Sequence, residues 1–180
     1  MSRILYLDLF SGAGGDMLLA ALLELGLKLE ELRSDLSRLK LSGYELSAQR
    51  VASRGLTGTR LTVRQQPEAQ PARRLPLIRG LLDSSGLAEP IRKRALSVFE
   101  RLARAEAGVH GVAPEQVHFH ELGAVDTLVD VVGFLCGLER LEVQSVYCSE
   151  VPVGGGEVRM EHGLLPAPAP ATAALLAEAR

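Results

Sequence analysis

The strongest constraint on this chain lies at its start. Arg3 to Phe10 (RILYLDLF) is β-rich and almost wholly apolar, Ser11 to Asp16 (SGAGGD) breaks it, and Met17 to Leu25 (MLLAALLEL) reads as a helix. A strand that passes through a glycine turn directly into a helix is the opening of an α/β unit. A second helical stretch, Leu29 to Leu39, sets Leu29, Leu32, Leu36 and Leu39 at helical spacing with charges between them, an apolar face that packs on a sheet.

From Tyr44 the period changes to two. Tyr44, Leu46 and Ala48 alternate with polar residues, Gly55 and Gly58 mark turns, and Thr59 to Arg64 alternates again, which predicts a β-hairpin. Gln65 to Arg74 (QQPEAQPARR) is polar, non-periodic and holds two prolines, so it reads as a mobile loop. Helices follow over Leu75–Leu82 and Glu89–Gly108. In the second, Ile91, Ala95, Val98, Phe99, Leu102 and Ala105 form one stripe, while Arg92, Lys93, Arg94, Arg101 and Arg104 face outward as a solvated face. Val117–His120 leads into a helix from Leu122 to Leu138, and Val143–Val153 reads as a strand. Gly154-Gly-Gly156 opens a polar patch, and Pro170 sits where a first-turn proline belongs in a final helix over Ala171–Ala179. The fold expected is a single α/β domain over residues 1–180, an α+β sandwich. It has a mixed sheet of about four strands covered by helices in a split β-α-β-like order. The apolar final helix, with no glycine cap or polar tail after it, gives the expectation that the chain is the front part of a longer protein, or that this helix docks on another subunit.

Composition excludes several partners. With 20 Lys+Arg against 22 Asp+Glu there is no electrostatic drive toward nucleic acid, and three Tyr, four Phe and no Trp leave little for base stacking. Met17 to Leu27, the most apolar stretch, is interrupted by Glu24 and falls far short of the ~20 residues that a membrane span needs. The glycine turn arrives before a signal-peptide core builds up, and two cysteines without CxxC spacing fit a reducing cytoplasm.

Chemistry concentrates in HFHELGAVDTLVD. In an extended segment His118 and His120 project from the same face about 6–7 Å apart, so they can converge on one ion, with Glu121 next to them. The helix that follows is apolar on nearly every side, yet carries Asp126 and Asp130 at i and i+4. Two carboxylates on such a helix repel each other and lose hydration, so they need a cation, an arginine or backbone donors. The set is a mixed imidazole and carboxylate site suited to nickel, zinc, manganese or iron. The alternative is a helix cap at Glu121 with both aspartates paired to arginines. His110 is a further ligand or a helix C-terminal cation.

A second constellation is Asp8 to Asp16, where amides at a helix start can hold phosphate and the two acids a divalent ion. The loop is neither GxGxxG nor a Walker A sequence, and Asp16 as a plain N-cap is the alternative. His162, near the glycine run, closes over a ligand or decorates a turn. Cys136 and Cys148 read as buried packing residues rather than metal ligands.

Three segments together resemble a known family: YLDLFSGAGGDMLLAALLELG, EAGVHGVAPEQVHFHELGAVDTLVDVVG and VPVGGGEVRMEHGLLPAPAPATAALL. They are similar, in the same order, to the nickel-insertion proteins of nickel-pincer cofactor biosynthesis, which serve lactate racemase maturation. The resemblance implies a cytoplasmic nickel chelatase, a lyase-type enzyme. Such a protein inserts nickel into pyridinium-3,5-bisthiocarboxylic acid mononucleotide and consumes CTP with Mg²⁺ or Mn²⁺. With that function, His118, His120, Glu121, Asp126 and Asp130 are expected as metal ligands or as the groups that support them, with Asp126, Asp130 or His120 as base. Ser11, Gly12, Gly14 and Gly15 go to the substrate phosphate, and Asp8 or Asp16 to a divalent ion. Two departures stand out. The histidine-rich loop usual after the hairpin is replaced by PEAQPARRLP, and family members continue past PAPAPAT into a region associated with the nucleotide site. The rival readings are a non-catalytic nickel-binding module acting with a C-terminal partner region or as a homo-oligomer, and a divalent-metal phosphohydrolase on the Asp8/Asp16 loop.

Overall fold

A computed structural model describes residues 2–65, 74–117, 119, 125–160 and 163–178. Strand β1 (Arg3–Leu7) leads through the glycine loop to α1 (Gly15–Glu24) and α2 (Leu29–Ser37). The hairpin β2 (Tyr44–Ser53) and β3 (Leu56–Gln65) follows, then α3 (Leu75–Asp83) and α4 (Glu89–His110). After a 3-10 turn at Pro114–Gln116 come α5 (Val125–Arg140), β4 (Val143–Cys148), β5 (Glu157–Met160), β6 (Gly163–Pro166) and α6 (Pro170–Glu178). The expected mobile loop falls mostly on residues 66–73, outside the described residues.

The α/β class is as expected, but among the described residues the strands form three two-stranded sheets in place of one mixed sheet of about four. β1 pairs directly with β4 in parallel, with no strand between them, so the expected split order is not found, while β2–β3 and β5–β6 are antiparallel hairpins. The long hairpin stays apart from β1 because its apolar face, with Leu46 and Leu61 buried, is used against helices α1, α2 and α5. Its turn is two residues long, Arg54 at φ 49° and Gly55 at φ 84°, the left-handed pair that matches strand twist. Gly58, expected in a turn, lies inside β3 opposite Val51, because the register from Ser53↔Leu56 onward leaves no room for a second reversal. The expected strand Val143–Val153 ends at Cys148, and the polar patch after it contains the β5–β6 hairpin.

On α4 the buried residues are Ile91, Ala95, Phe99, Ala103 and Ala107, so the seam follows i, i+4 steps and leaves Val98 at its exposed margin. Helix α4 ends at a left-handed Gly111, φ 65°. Pro170 opens α6 as expected, Ala171 is buried, and α6 packs on α4, where Arg101 meets Glu178 at 3.4 Å. Cys136 is buried and its thiol is pushed up to about 12, chiefly by burial and then by Asp35. Cys148, expected in the interior, is exposed at the end of β4, which among the described residues pairs with β1 alone.

The packing that positions the site is between α1 and α5. A Cβ on Gly133 would lie 3.1 Å from Leu19 Cδ2, and one on Gly137 would lie 2.6 Å from Leu22 Cδ1. Gly15 of α1 meets Asp130 of α5 in the same way. The contacts advance together along both helices, so α1 and α5 run side by side in the same direction, in glycine-permitted contact. The far end of α5 is pinned to α2 by Arg140, whose Nε donates to Asp35 Oδ2 at 2.5 Å and whose second guanidinium nitrogen donates to Oδ1 at 3.1 Å.

Candidate metal centre

The strands β1 and β4 are parallel, and their carboxyl ends are tied together beyond the last pair. Ser149 N donates to Leu7 O at 2.9 Å, and Leu9 N donates to Ser149 Oγ at 2.8 Å. Ligands of α/β proteins bind beyond the carboxyl ends of parallel strands, where loops diverge and helices begin. Here the glycine loop leaves β1 and enters α1 at Gly15, and the shared direction of α1 and α5 brings the start of α5 to the same place. Two helix N-termini, each with the partial positive charge of its first turn, therefore converge.

Each carries an aspartate in its first turn. Asp16 Oδ1 accepts from Met17 N at 2.8 Å, and Asp126 Oδ1 accepts from Thr127 N at 2.8 Å. One turn further along α5, Asp130 packs against Gly15 so closely that a Cβ on that glycine would overlap the carboxylate. Asp130 Oδ1 is buried and has no hydrogen-bond partner among the described residues. Burial, then Asp126, then Asp16 push the Asp130 carboxyl up from 3.8 to about 6. The pairing of these aspartates with arginines, the bland alternative, is not found among the described residues: none is seen on Asp126 or Asp130, and the Asp35–Arg140 pair takes the guanidinium of α5.

The sequence-predicted residues thus divide into three groups. Asp16, Asp126 and Asp130 are brought together with Gly14 and Gly15 at the start of α1. Ser11 and Gly12 lie on the loop, Gly12 with φ 83° and its amide donating to Leu9 O at 2.8 Å; Asp8 is exposed at the end of β1. His118, His120, Glu121 and His162 lie outside the described residues. His110 sits at the last position of α4, its Nε2 3.5 Å from Glu106 Oε2. Among the described residues no three His, Cys, Asp or Glu side chains stand close enough to hold a metal ion by themselves. The aspartates offer hard carboxylate oxygens, a donor type that suits divalent cations.

Sequence reasoning missed Ser149, whose side chain joins the two loops, and the role of Gly15 as the surface on which Asp130 rests. The readable sign of the latter was the pair Gly133 and Gly137, four apart on an apolar helix, which marks the face of α5 that another helix approaches. Among the described residues no helix is long and apolar enough to cross a membrane.

The family described as Nickel insertion protein matches residues 5–180. A protein of Thermomicrobium roseum is 53% identical over 98% of this chain and 44% of its own length. Proteins of a Geobacter species and of Syntrophobacter fumaroxidans are 49% and 50% identical over 97% and 95% of this chain, and 45% and 44% of their own lengths. All three bear the name "Putative nickel insertion protein". The chain spans somewhat under half the length of these curated relatives. No solved structure matches it. On a family match reaching from Leu5 to the final residue, and on relatives half identical over nearly all of it, the chain belongs to the nickel insertion protein family.

Proposed function

We propose that this chain takes part in the insertion of nickel into pyridinium-3,5-bisthiocarboxylic acid mononucleotide, forming the nickel-pincer cofactor in the cytoplasm. The observation that carries the reading is Asp130, a carboxylate with an orphaned buried oxygen, set between Asp16 and Asp126 at two helix starts in a member of the nickel insertion family. Nickel is cargo, taken by Asp126 and Asp130 together with His118, His120 and Glu121. Imidazole and carboxylate are a ligand set from which thiocarboxylate sulfurs can take the ion. Formation of the nickel–carbon bond requires loss of a ring proton, and whichever of Asp130 and His120 has given up the nickel accepts it.

The substrate phosphate is placed on the loop from Ser11 through Gly12, Gly14 and Gly15. Asp16 already occupies the first turn of α1, so a phosphate there is bridged by a divalent cation rather than held by amides alone. The hard oxygens of Asp8 and Asp16 fit Mg²⁺ or Mn²⁺, the ions that accompany CTP, and such an ion would supply charge neutralisation at the phosphate. A second reading is favoured by the length of the relatives: the chain holds nickel, and a further region supplies nucleotide chemistry. Calorimetric nickel titration of the chain, beside His118→Ala/His120→Ala and Asp126→Ala/Asp130→Ala variants, tests the site. Tight binding lost in both variants supports it, and binding equal in all three overturns it. Insertion assayed with and without the relatives' remaining region then separates enzyme from carrier.

A further inference from the structure

Parallel strand pairs are normally covered on both faces, because each of their strands is apolar throughout. Among the described residues the β1–β4 pair is covered on one. Leu5 faces the core and is buried, whereas Ile4, Tyr6 and Tyr147 on the opposite face are 58%, 62% and 58% exposed. Tyr6 and Tyr147 are register partners, so the two rings stand side by side on that face. Val146, the partner of core-facing Leu5, is itself 43% exposed, because β4 has no further strand beside it among the described residues. Both an outer face and a strand edge are therefore open together. A two-stranded sheet in this state is marginal in water and a template for added strands.

The relatives that align with almost all of this chain carry more than half of their length outside the matched stretch. We propose that this additional polypeptide docks on the β1–β4 pair, adding a β-forming apolar segment along the free edge of β4 and covering Ile4, Tyr6 and Tyr147. The recognition is strand addition: backbone hydrogen bonds at the edge give affinity, and alternate side chains against the tyrosines give register. The inference is independent of the nickel reading, since the face lies on the strands rather than at their carboxyl ends. It also explains how a second region can be held beside the carboxyl ends of the same strands, within reach of Asp130.

The test is hydrogen exchange on the 180-residue chain alone and on a full-length chimera in which it is followed by the remaining region of the Thermomicrobium roseum relative. Amides of β4 are expected to exchange about tenfold or more slowly in the chimera. Tyr6→Lys/Tyr147→Lys is expected to abolish that protection, while the thermal midpoint of the isolated chain stays within about 2 °C, as for other exposed substitutions. Leu56→Lys, at the exposed hairpin tip, leaves the protection unchanged. Equal exchange of β4 in chain and chimera overturns the proposal, as does protection that survives the double variant. A dimer of the isolated chain that already protects β4 also overturns it, by assigning the face to a second copy.

Discussion

Replacing Asp130 by Asn separates what this side chain does for the fold from what it does for a metal. Its carboxyl is raised from 3.8 to about 6 by burial and by the charges of Asp126 and Asp16. A raised carboxyl means that the folded state holds the proton more tightly than the unfolded state. Stability from this group is therefore complete below about pH 4 and is lost as pH rises to about 6, with no further change above. A shift of about two units corresponds to about 3 kcal/mol, and water reaching the partly exposed side chain reduces this to about 2 kcal/mol. Asn keeps the shape and cannot ionise. In urea denaturation with a chelator present, the Asn variant is expected to match the parent near pH 4 and to exceed it by about 2 kcal/mol near pH 7.5, which in thermal unfolding is a rise of about 4–8 °C in the midpoint. Nickel binding, in contrast, falls by tenfold or more, because a neutral amide is a poor ligand beside Asp126. A stability difference that stays flat between pH 4 and 7.5 refutes the account of burial and like charge. A gain in stability with unchanged nickel binding leaves Asp130 strained for some other purpose.

Other expectations follow from close contacts. Gly15→Ala places a methyl 2.5 Å from Asp130 Cβ, so α5 itself has to shift; a loss of about 1–3 kcal/mol in urea denaturation and weaker nickel binding are expected. Gly14→Ala, whose new Cβ meets only the mobile tip of Asp16 at 2.7 Å, costs less than about 1 kcal/mol in the same assay. Gly137→Ala, 2.6 Å from Leu22 Cδ1 and 3.1 Å from Leu27 Cδ2, lowers stability by about 1–3 kcal/mol in the same assay and weakens nickel binding, because parting α1 from α5 lets water reach Asp130. Arg140→Met leaves Asp35, only 7% exposed, with Arg38 at 3.8 Å as its remaining cation, and the midpoint of unfolding falls by an amount worth about 2–3 kcal/mol.

Helices α2 and α4 were legible because each carries its apolar stripe at the helical period. Leu29, Leu32 and Leu36 on α2, and Ile91, Ala95 and Phe99 on α4, mark their buried faces without reference to any neighbour. The strands were legible one at a time, but their grouping was not. Nothing in the alternation of Tyr44, Leu46 and Ala48 says whether that face meets a sheet or a helix, and it meets helices. The β5–β6 hairpin escaped notice because its strands are four residues long and follow a run of three glycines, which reads as irregular chain. The turn at Arg54-Gly55 was half visible: Gly55 signals it, whereas Arg54 at φ 49° carries no sequence sign of a left-handed residue.

The site follows the same division between what is local and what is not. Asp126 and Asp130 stand out in the sequence because they interrupt an apolar helix, and Asp16 because it ends a glycine run. That they belong together depends on the approach of α1 to α5, and the spacing of the glycines decides that approach. Asp130, Gly133 and Gly137 lie at i, i+3 and i+7, one face of α5, so whatever packs against the glycines also meets the aspartate. Those glycines accept Leu19 and Leu22, and the same row carries the line of contact back to Gly15, where the missing side chain leaves room for the carboxylate. A larger residue at Gly133 or Gly137 would have held the helices apart and let water reach Asp130. Its proton affinity, and its readiness for a cation, thus follow from two glycines a turn or two away rather than from any ligand motif.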